Sequence, residues 1–203
     1  MTAIRLYGSS DSGNCLKTKW VAERLGIRFE WIETSSFSGA TRTPEFLAIN
    51  PAGQVPVAIL ADGRMLAQSN AIMLYFAENS DLVPKDAYER AKMLEWLFWE
   101  QYSHEPYIAV RIARKYFLNQ REEDLDPVLL TKGAAALARL ELQLQGAPFL
   151  VNGALTLADI ALVAYTRAAP RGGFDLESYP AVKAWVGRVE RELGLEPLPP
   201  VGQ

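Results

Sequence analysis

A chain of 203 residues with 49% hydrophobic content can bury a sizeable core as one or two compact domains. A formal net charge of -3 with 22% charged residues leaves no basic face for nucleic acid, and the longest uninterrupted apolar stretch, Ala71 to Ala77, is far too short to span a bilayer. One cysteine excludes an intramolecular disulfide framework, one histidine beside it makes a His/Cys metal site improbable, and the first residues enter a strand pattern without a basic and apolar leader, so a metal-free cytoplasmic protein is expected.

Ile4-Arg5-Leu6-Tyr7 reads as a strand, after which Leu16, Trp20, Val21 and Leu25 recur at helical spacing. Gly26 stands where a left-handed residue closes a helix. Arg28 to Ile32, rich in aromatic and β-branched residues, reads as a second strand, parallel to the first because a helix crosses between them. A polar loop through Ser35, Ser36, Ser38 and Gly39 leads to a short helix over Pro44 to Ala48. Val57 to Leu60 and Arg64 to Ala67 flank Asp62-Gly63, a hairpin signal, and a helix follows from about Asn70 to Glu78. The order β-α-β then β-β-α is that of a thioredoxin-like domain.

From Asp86 onward the pattern turns helical, with only short ambiguous runs such as Phe149 to Val151. Asp86 and Glu89 have capping-box spacing ahead of Leu94, Leu97, Phe98 and Ile108, and Pro106 predicts a kink near His104 to Pro106. Asp126-Pro127 starts another helix, which Gly146 ends. In Leu155-Thr156-Leu157-Ala158-Asp159-Ile160 a second capping box is framed by the staple pair Leu155 and Ile160. Tyr179-Pro180 opens a last helix carrying Val182, Trp185, Val186 and Val189, and the Pro/Gly-rich tail from Pro197 to Gln203 reads as irregular. The expected organisation is therefore an α/β domain over 1–80, a linker over 81–85 and an all-helical domain over 86–203.

Three segments of the first half carry chemistry together. Ser9-Ser10-Asp11-Ser12-Gly13-Asn14-Cys15 sits where a strand turns into a helix, Val55-Pro56 is an X-Pro step in an extended run, and Gln68-Ser69-Asn70 precedes another helix. With Phe46-Leu47-Ala48-Ile49-Asn50-Pro51-Ala52-Gly53-Gln54 running into Val55-Pro56, and with Thr156 to Asp159 in the helical half, these motifs resemble the glutathione S-transferase family over almost the whole chain. The resemblance implies a thioredoxin-like glutathione-binding domain followed by an all-helical domain that contributes the electrophile pocket.

It also implies roles. Gln54, Val55 and Pro56 match the segment where a cis-proline leaves the Val55 main chain to pair with the extended peptide of glutathione; a trans proline opening a strand is the plain alternative. Gln68, Ser69 and Asn70 match the helix entry that holds the γ-glutamyl carboxylate, where Ser69 as an ordinary cap is the alternative and Gln68 replaces the family's usual glutamate. Ser12 aligns with the catalytic serine of theta-like members, and Asn14 with an asparagine of Nu-like bacterial members whose threonine Ser12 replaces. Cys15 lies near the cysteine of beta-like members, and Ser9 and Ser10 share the same loop, so these residues stay open as thiol contacts. Tyr102, His104, Tyr107 and Arg111, with Arg114, are candidates for the electrophile pocket, against structural or solvated readings for each. The aromatic run Trp96, Phe98, Trp99, Tyr102 fits a core or a dimer interface.

The resemblance implies a cytoplasmic detoxification enzyme, a homodimer with no metal, nucleic acid or membrane partner, joining glutathione to small hydrophobic electrophiles. Two other activities remain: glutathione-dependent reduction of disulfides or hydroperoxides, favoured by the Ser12/Asn14 pair, and a non-catalytic binding protein, for which only Gln68 speaks.

Overall fold

The computed structural model describes residues 3–35 and 37–199, so Ser36 of the polar loop and residues 200–203 of the tail lie outside it. The chain divides into two compact units, Met1–Val83 and Pro84–Gln203.

The first unit is built on a four-stranded sheet in the order β2-β1-β3-β4. Strand β1 (Ile4–Gly8) is followed by α1 (Gly13–Arg24) and β2 (Phe29–Glu33), then α2 (Pro44–Ile49), β3 (Val57–Ile59), β4 (Met65–Ala67) and α3 (Ser69–Ala77). β1 pairs with β2 in parallel, while β3 pairs antiparallel with both β1 and β4. This is the β-α-β, β-β-α order expected. A Schellman motif ends α1: Gly26, at φ 64, donates to Glu23 O at 3.1 Å and Ile27 donates to Ala22 O at 2.9 Å. Leu6, Ala22, Ala58, Leu60 and Ile72 form the buried centre, against which Ile4, Phe29, Trp31 and Phe76 pack. Each of the leucine and isoleucine side chains contributes about 1.5–3 kcal/mol when fully buried.

Several boundaries differ from expectation: β1 extends to Gly8, α2 extends to Ile49, and α3 spans Ser69–Ala77. β2 runs one residue later because its ladder matches Ile4 to Phe29 and Gly8 to Glu33, which draws Glu33 into the sheet and leaves Arg28 out. The β3–β4 ladder loses Leu60 and Arg64 to the turn: Leu60 N–H donates to Arg64 O at 2.8 Å, and Asp62 Oδ1 accepts from Arg64 N–H at 3.0 Å.

The second unit holds α4 (Ala87–Trp99), α5 (Glu105–Ile112), α6 (Pro127–Leu144), α7 (Leu157–Thr166) and α8 (Pro180–Leu193). The break expected near Pro106 is a π turn over Glu100–His104, in which Glu105 N–H reaches back to Glu100 O. Proline offers no N–H and crowds the carbonyl four residues back, so the wider turn accommodates it. Asp86 Oδ1 accepts from Glu89 N–H at 3.0 Å, but the Glu89 carboxylate accepts from Asn152 Nδ2 at 2.7 Å, so the first capping box is only half used. The second is complete on the acid side. Asp159, fully buried, accepts from Thr156 N–H, Thr156 Oγ1, Leu150 N–H and Trp185 Nε1, all at 2.9–3.0 Å. Nearly every residue of α7 is buried, which makes it the centre of this unit and explains its almost unbroken apolar sequence. The run at Phe149 to Val151 yields a single bridge, Val151 with Ala154. Among the described residues no helix is long and apolar enough to cross a membrane.

Candidate functional site

The three segments singled out in sequence all lie in the first unit, and two of them meet through a hydrogen bond. Ser12 is extended (φ -102, ψ 117) and caps α1; its carbonyl accepts from Cys15 and Leu16 N–H groups at 3.0 and 2.8 Å. At the second residue of α1, Asn14 Oδ1 accepts from the Ser69 hydroxyl at 3.3 Å, which ties the start of α1 to the start of α3 across 55 positions of sequence. Ser69 is buried, and Gln68 before it holds φ 71 with ψ 117, a conformation non-glycine residues adopt only when the surroundings impose it.

The Val55–Pro56 peptide is cis. Val55 lies beyond both ladders, since β3 begins at Val57. The β3–β4 ladder opens with Val57 opposite Ala67, so Val55 and Ser69 each stand two residues beyond that pair. Asn50 shapes the approach: its Nδ2 donates to Gln54 O at 2.8 Å and its Oδ1 accepts from Ala52 N–H at 3.2 Å. Gly53 has φ 60, and a Cβ there would meet Arg42 Nη1 at 2.5 Å, so only glycine lets the guanidinium lie across this loop.

The candidates around the thiol site differ in environment. Cys15 is fully buried, and burial pushes its thiol pKa up, opposed by the Ser12 hydroxyl beside it. Ser9 is buried, with its hydroxyl accepting from Asp11 N–H at 3.4 Å. The Ser10 hydroxyl is committed to Glu33 Oε2 at 2.7 Å. Ser12 and Asn14 are half-buried.

In the second unit the four pocket candidates do not share a surface. Tyr102 is 83% exposed and Tyr107 half-buried, whereas His104 and Arg111 are buried. His104 Nε2 is 2.9 Å from Thr166 Oγ1, which itself donates to Leu162 O at 2.7 Å. The hydroxyl has one proton, so Nε2–H is the donor. Arg111 donates to Gly172 O at 2.7 Å and pairs with Glu122, stitching the segment after α5 to the helices. Its companion Arg114 is half-buried. Glu33 and Arg42 were not singled out in sequence, because the parallel register and the loop crossing that bring them to the site are set by tertiary pairing. Among the described residues no three His, Cys, Asp or Glu side chains gather as metal ligands.

A hydroxyl at one helix start, a serine at another and a cis-proline bend with a half-buried Val55 in the same unit are parts that can hold an extended anionic peptide and hydrogen-bond its sulfur. Comparison with known proteins agrees. The pattern described as "Glutathione S-transferase, N-terminal domain" matches residues 11–79, and "Glutathione S-transferase, C-terminal domain" matches residues 91–192. Glutathione S-transferase 3 of Zea mays is 30% identical over 98% of this chain and 97% of its own. The disulfide-bond oxidoreductase YfcG of Escherichia coli is 30% identical over 82% of this chain and 81% of its own. A solved glutathione S-transferase from Xanthobacter autotrophicus Py2 is 46% identical, covers 98% of this chain and 97% of its own, and superposes with a TM-score of 0.88. With both units matched and the likeness running nearly end to end, the chain belongs to the glutathione S-transferase family.

Proposed function

We propose that the protein is a glutathione transferase that stabilises the glutathione thiolate for attack on small hydrophobic electrophiles. The observation that carries this reading is the Ser69–Asn14 hydrogen bond, which draws the starts of α3 and α1 together. Glutathione lies along Gln54 to Asn70: its backbone pairs with Val55 next to Pro56, and its γ-glutamyl carboxylate accepts from the N–H groups of Ser69 and Asn70 and from the Ser69 hydroxyl, whose one proton turns to it from Asn14 Oδ1. Arg42 supplies a cation for the other terminal carboxylate, and Gln68 contributes an amide where a glutamate would offer charge to the ammonium.

The Ser12 hydroxyl donates to the sulfur, with Asn14 and the positive end of α1 favouring the anion. The thiol proton leaves to solvent; the sulfur lone pair then forms the bond to the electrophilic carbon as the leaving group departs with its electrons. Tyr102 and Tyr107 are the residues of the helical unit offered to the electrophile. The working protein is a cytoplasmic homodimer active in detoxification.

The expected result with Ser12→Ala is lower turnover near neutral pH, with the loss shrinking as pH rises and hydroxide takes over deprotonation. One pKa unit in the bound thiol corresponds to about 1.4 kcal/mol. A pH–rate profile with an aryl halide, alongside thiolate absorbance of bound glutathione, checks this; an unshifted profile rejects Ser12. Reduction of a small mixed disulfide by glutathione is the second reading, favoured by the similarity to YfcG and by Ser12 and Asn14 at the thiol site. Comparing the two assays on the same preparation decides which dominates, and inactivity in both despite glutathione binding would favour a binding protein.

A further inference from the structure

We propose that Glu33, at the end of β2, is the positioning residue for the loop that presents Ser12 to the glutathione sulfur, an inference that rests on the Ser12 reading. The parallel register sets Glu33 beside Gly8, the last residue of β1, and Thr34 N–H donates to Gly8 O at 2.7 Å, so β2 grips the chain just where it leaves the sheet. Glu33 then reaches past that point. Its Oε1 accepts from Ser10 N–H at 2.9 Å and its Oε2 from the Ser10 hydroxyl at 2.7 Å. Two contacts to one residue from two oxygens fix orientation as well as distance, because neither bond alone can act as a pivot.

The carboxylate is itself held. Trp31 Nε1 donates to Oε2 at 2.9 Å, the leading cause of an acidity stronger than an ordinary glutamate's. The indole is fixed in turn, since a Cβ on Gly8 would lie 2.4 Å from Trp31 Cη2, and the Lys19 ammonium stands 5.5 Å from the ring centre. From Ser10 the constraint passes along a tight turn in which Ser12 N–H donates to Ser9 O at 3.1 Å and Asp11 N–H to Ser9 Oγ. Ser12 therefore enters α1 from a loop clamped on both sides of Ser10. A Glu33 side chain is exposed and adds little to the core, so its three donors have no packing purpose to serve. Its negative charge near the sulfur favours the protonated thiol, which leaves geometry as the contribution it makes.

The test compares Glu33→Ala, Glu33→Gln, Ser10→Ala and Ser12→Ala, each with thermal unfolding, glutathione affinity, kcat and the kinetic pKa of the bound thiol. Misplacing a catalytic group by about 1 Å can cost about 100-fold, so Glu33→Ala is expected to lower kcat near neutrality by about 10- to 100-fold. The thiol pKa should rise with it, while glutathione affinity stays close to that of the parent. Glutamine keeps one acceptor oxygen, but in either orientation its NH2 faces an N–H donor, Trp31 Nε1 or Ser10 N, so Glu33→Gln should recover only part of the lost rate. Ser10→Ala should shift the pKa in the same direction by less, and if Glu33→Ala fails to fold, an unshifted Ser10→Ala overturns the proposal. A rise in pKa for Ser12→Ala with no change for Glu33→Ala overturns the positioning role and leaves the Ser12 reading standing. Silence of both rejects both.

Discussion

The Ser69 hydroxyl donates to Asn14 Oδ1 between two helix starts, so each side chain bears on the other's orientation. Ser69→Ala should weaken glutathione binding by about 1–3 kcal/mol, the range for a hydrogen bond to a charged group plus the cost of stranding its partner. Isothermal calorimetry measures this directly, and unchanged affinity would move the γ-glutamyl anchor elsewhere. Cys15 makes the opposite kind of statement. Its burial raises the thiol pKa above the 9.0 of a free thiol, so the folded protein holds the proton more tightly than the unfolded chain does. The stability linked to this group is full below pH 9.0 and is lost as pH rises through the folded-state value. Cys15→Ala should flatten the fall in stability above that pH, read by urea unfolding at several pH values, while leaving the neutral pH–rate profile in place. Loss of activity in that variant would shift the chemistry to a cysteine mechanism.

Among the helices, α7 depends most on a single polar side chain. Asp159 satisfies three N–H donors and one hydroxyl in a fully buried place, joining the cap of α7 to Leu150 before it and to Trp185 of α8. Burial pushes its pKa up, and those donors oppose the shift. Asp159→Ala leaves the three N–H groups without an acceptor at about 1–3 kcal/mol each, so a loss of about 3 kcal/mol or more is expected. Asp159→Asn keeps one acceptor and should lose less. The urea midpoint of each variant checks the order; equal midpoints would mean the cap contributes nothing. By contrast, His104 and Arg111 show how a helical position can look functional from its residue type alone. Their polar groups are engaged with Thr166, Gly172 and Glu122 inside the unit, and helical spacing carries no sign of which neighbour a side chain will find.

For the molecule as a whole, the aromatic run on and after α4 divides in two. Trp96 is buried, while Phe98 is 73% and Tyr102 83% exposed, and Leu142 on α6 is 70% exposed. Large apolar side chains standing in solvent are common at protein interfaces. The proposed homodimer should sediment at about twice 22.6 kDa at micromolar concentration. Phe98→Arg should shift it toward the single-chain mass, and a parent protein already at 22.6 kDa rejects the dimer.

What the amino-acid sequence determined by itself was the succession of elements and those of their ends that carry a local signal. Gly26, Asp62-Gly63, Asp126-Pro127 and the Thr156–Asp159 box act over one to five residues, so their effect is written in the residues that carry it. The family motifs likewise located Ser12, Val55-Pro56 and Ser69. Tertiary structure decided what those residues meet. The hydrogen bond from Ser69 to Asn14, the brace from Glu33 to Ser10 and the crossing of Arg42 over Gly53 each join positions 11 to 55 residues apart. Such contacts depend on which strands pair and in what register, and a shift of one residue in β2 would turn Glu33 to the other face of the sheet. Local chemistry specifies where a helix begins; only the closed sheet determines which carboxylate will hold the loop before it.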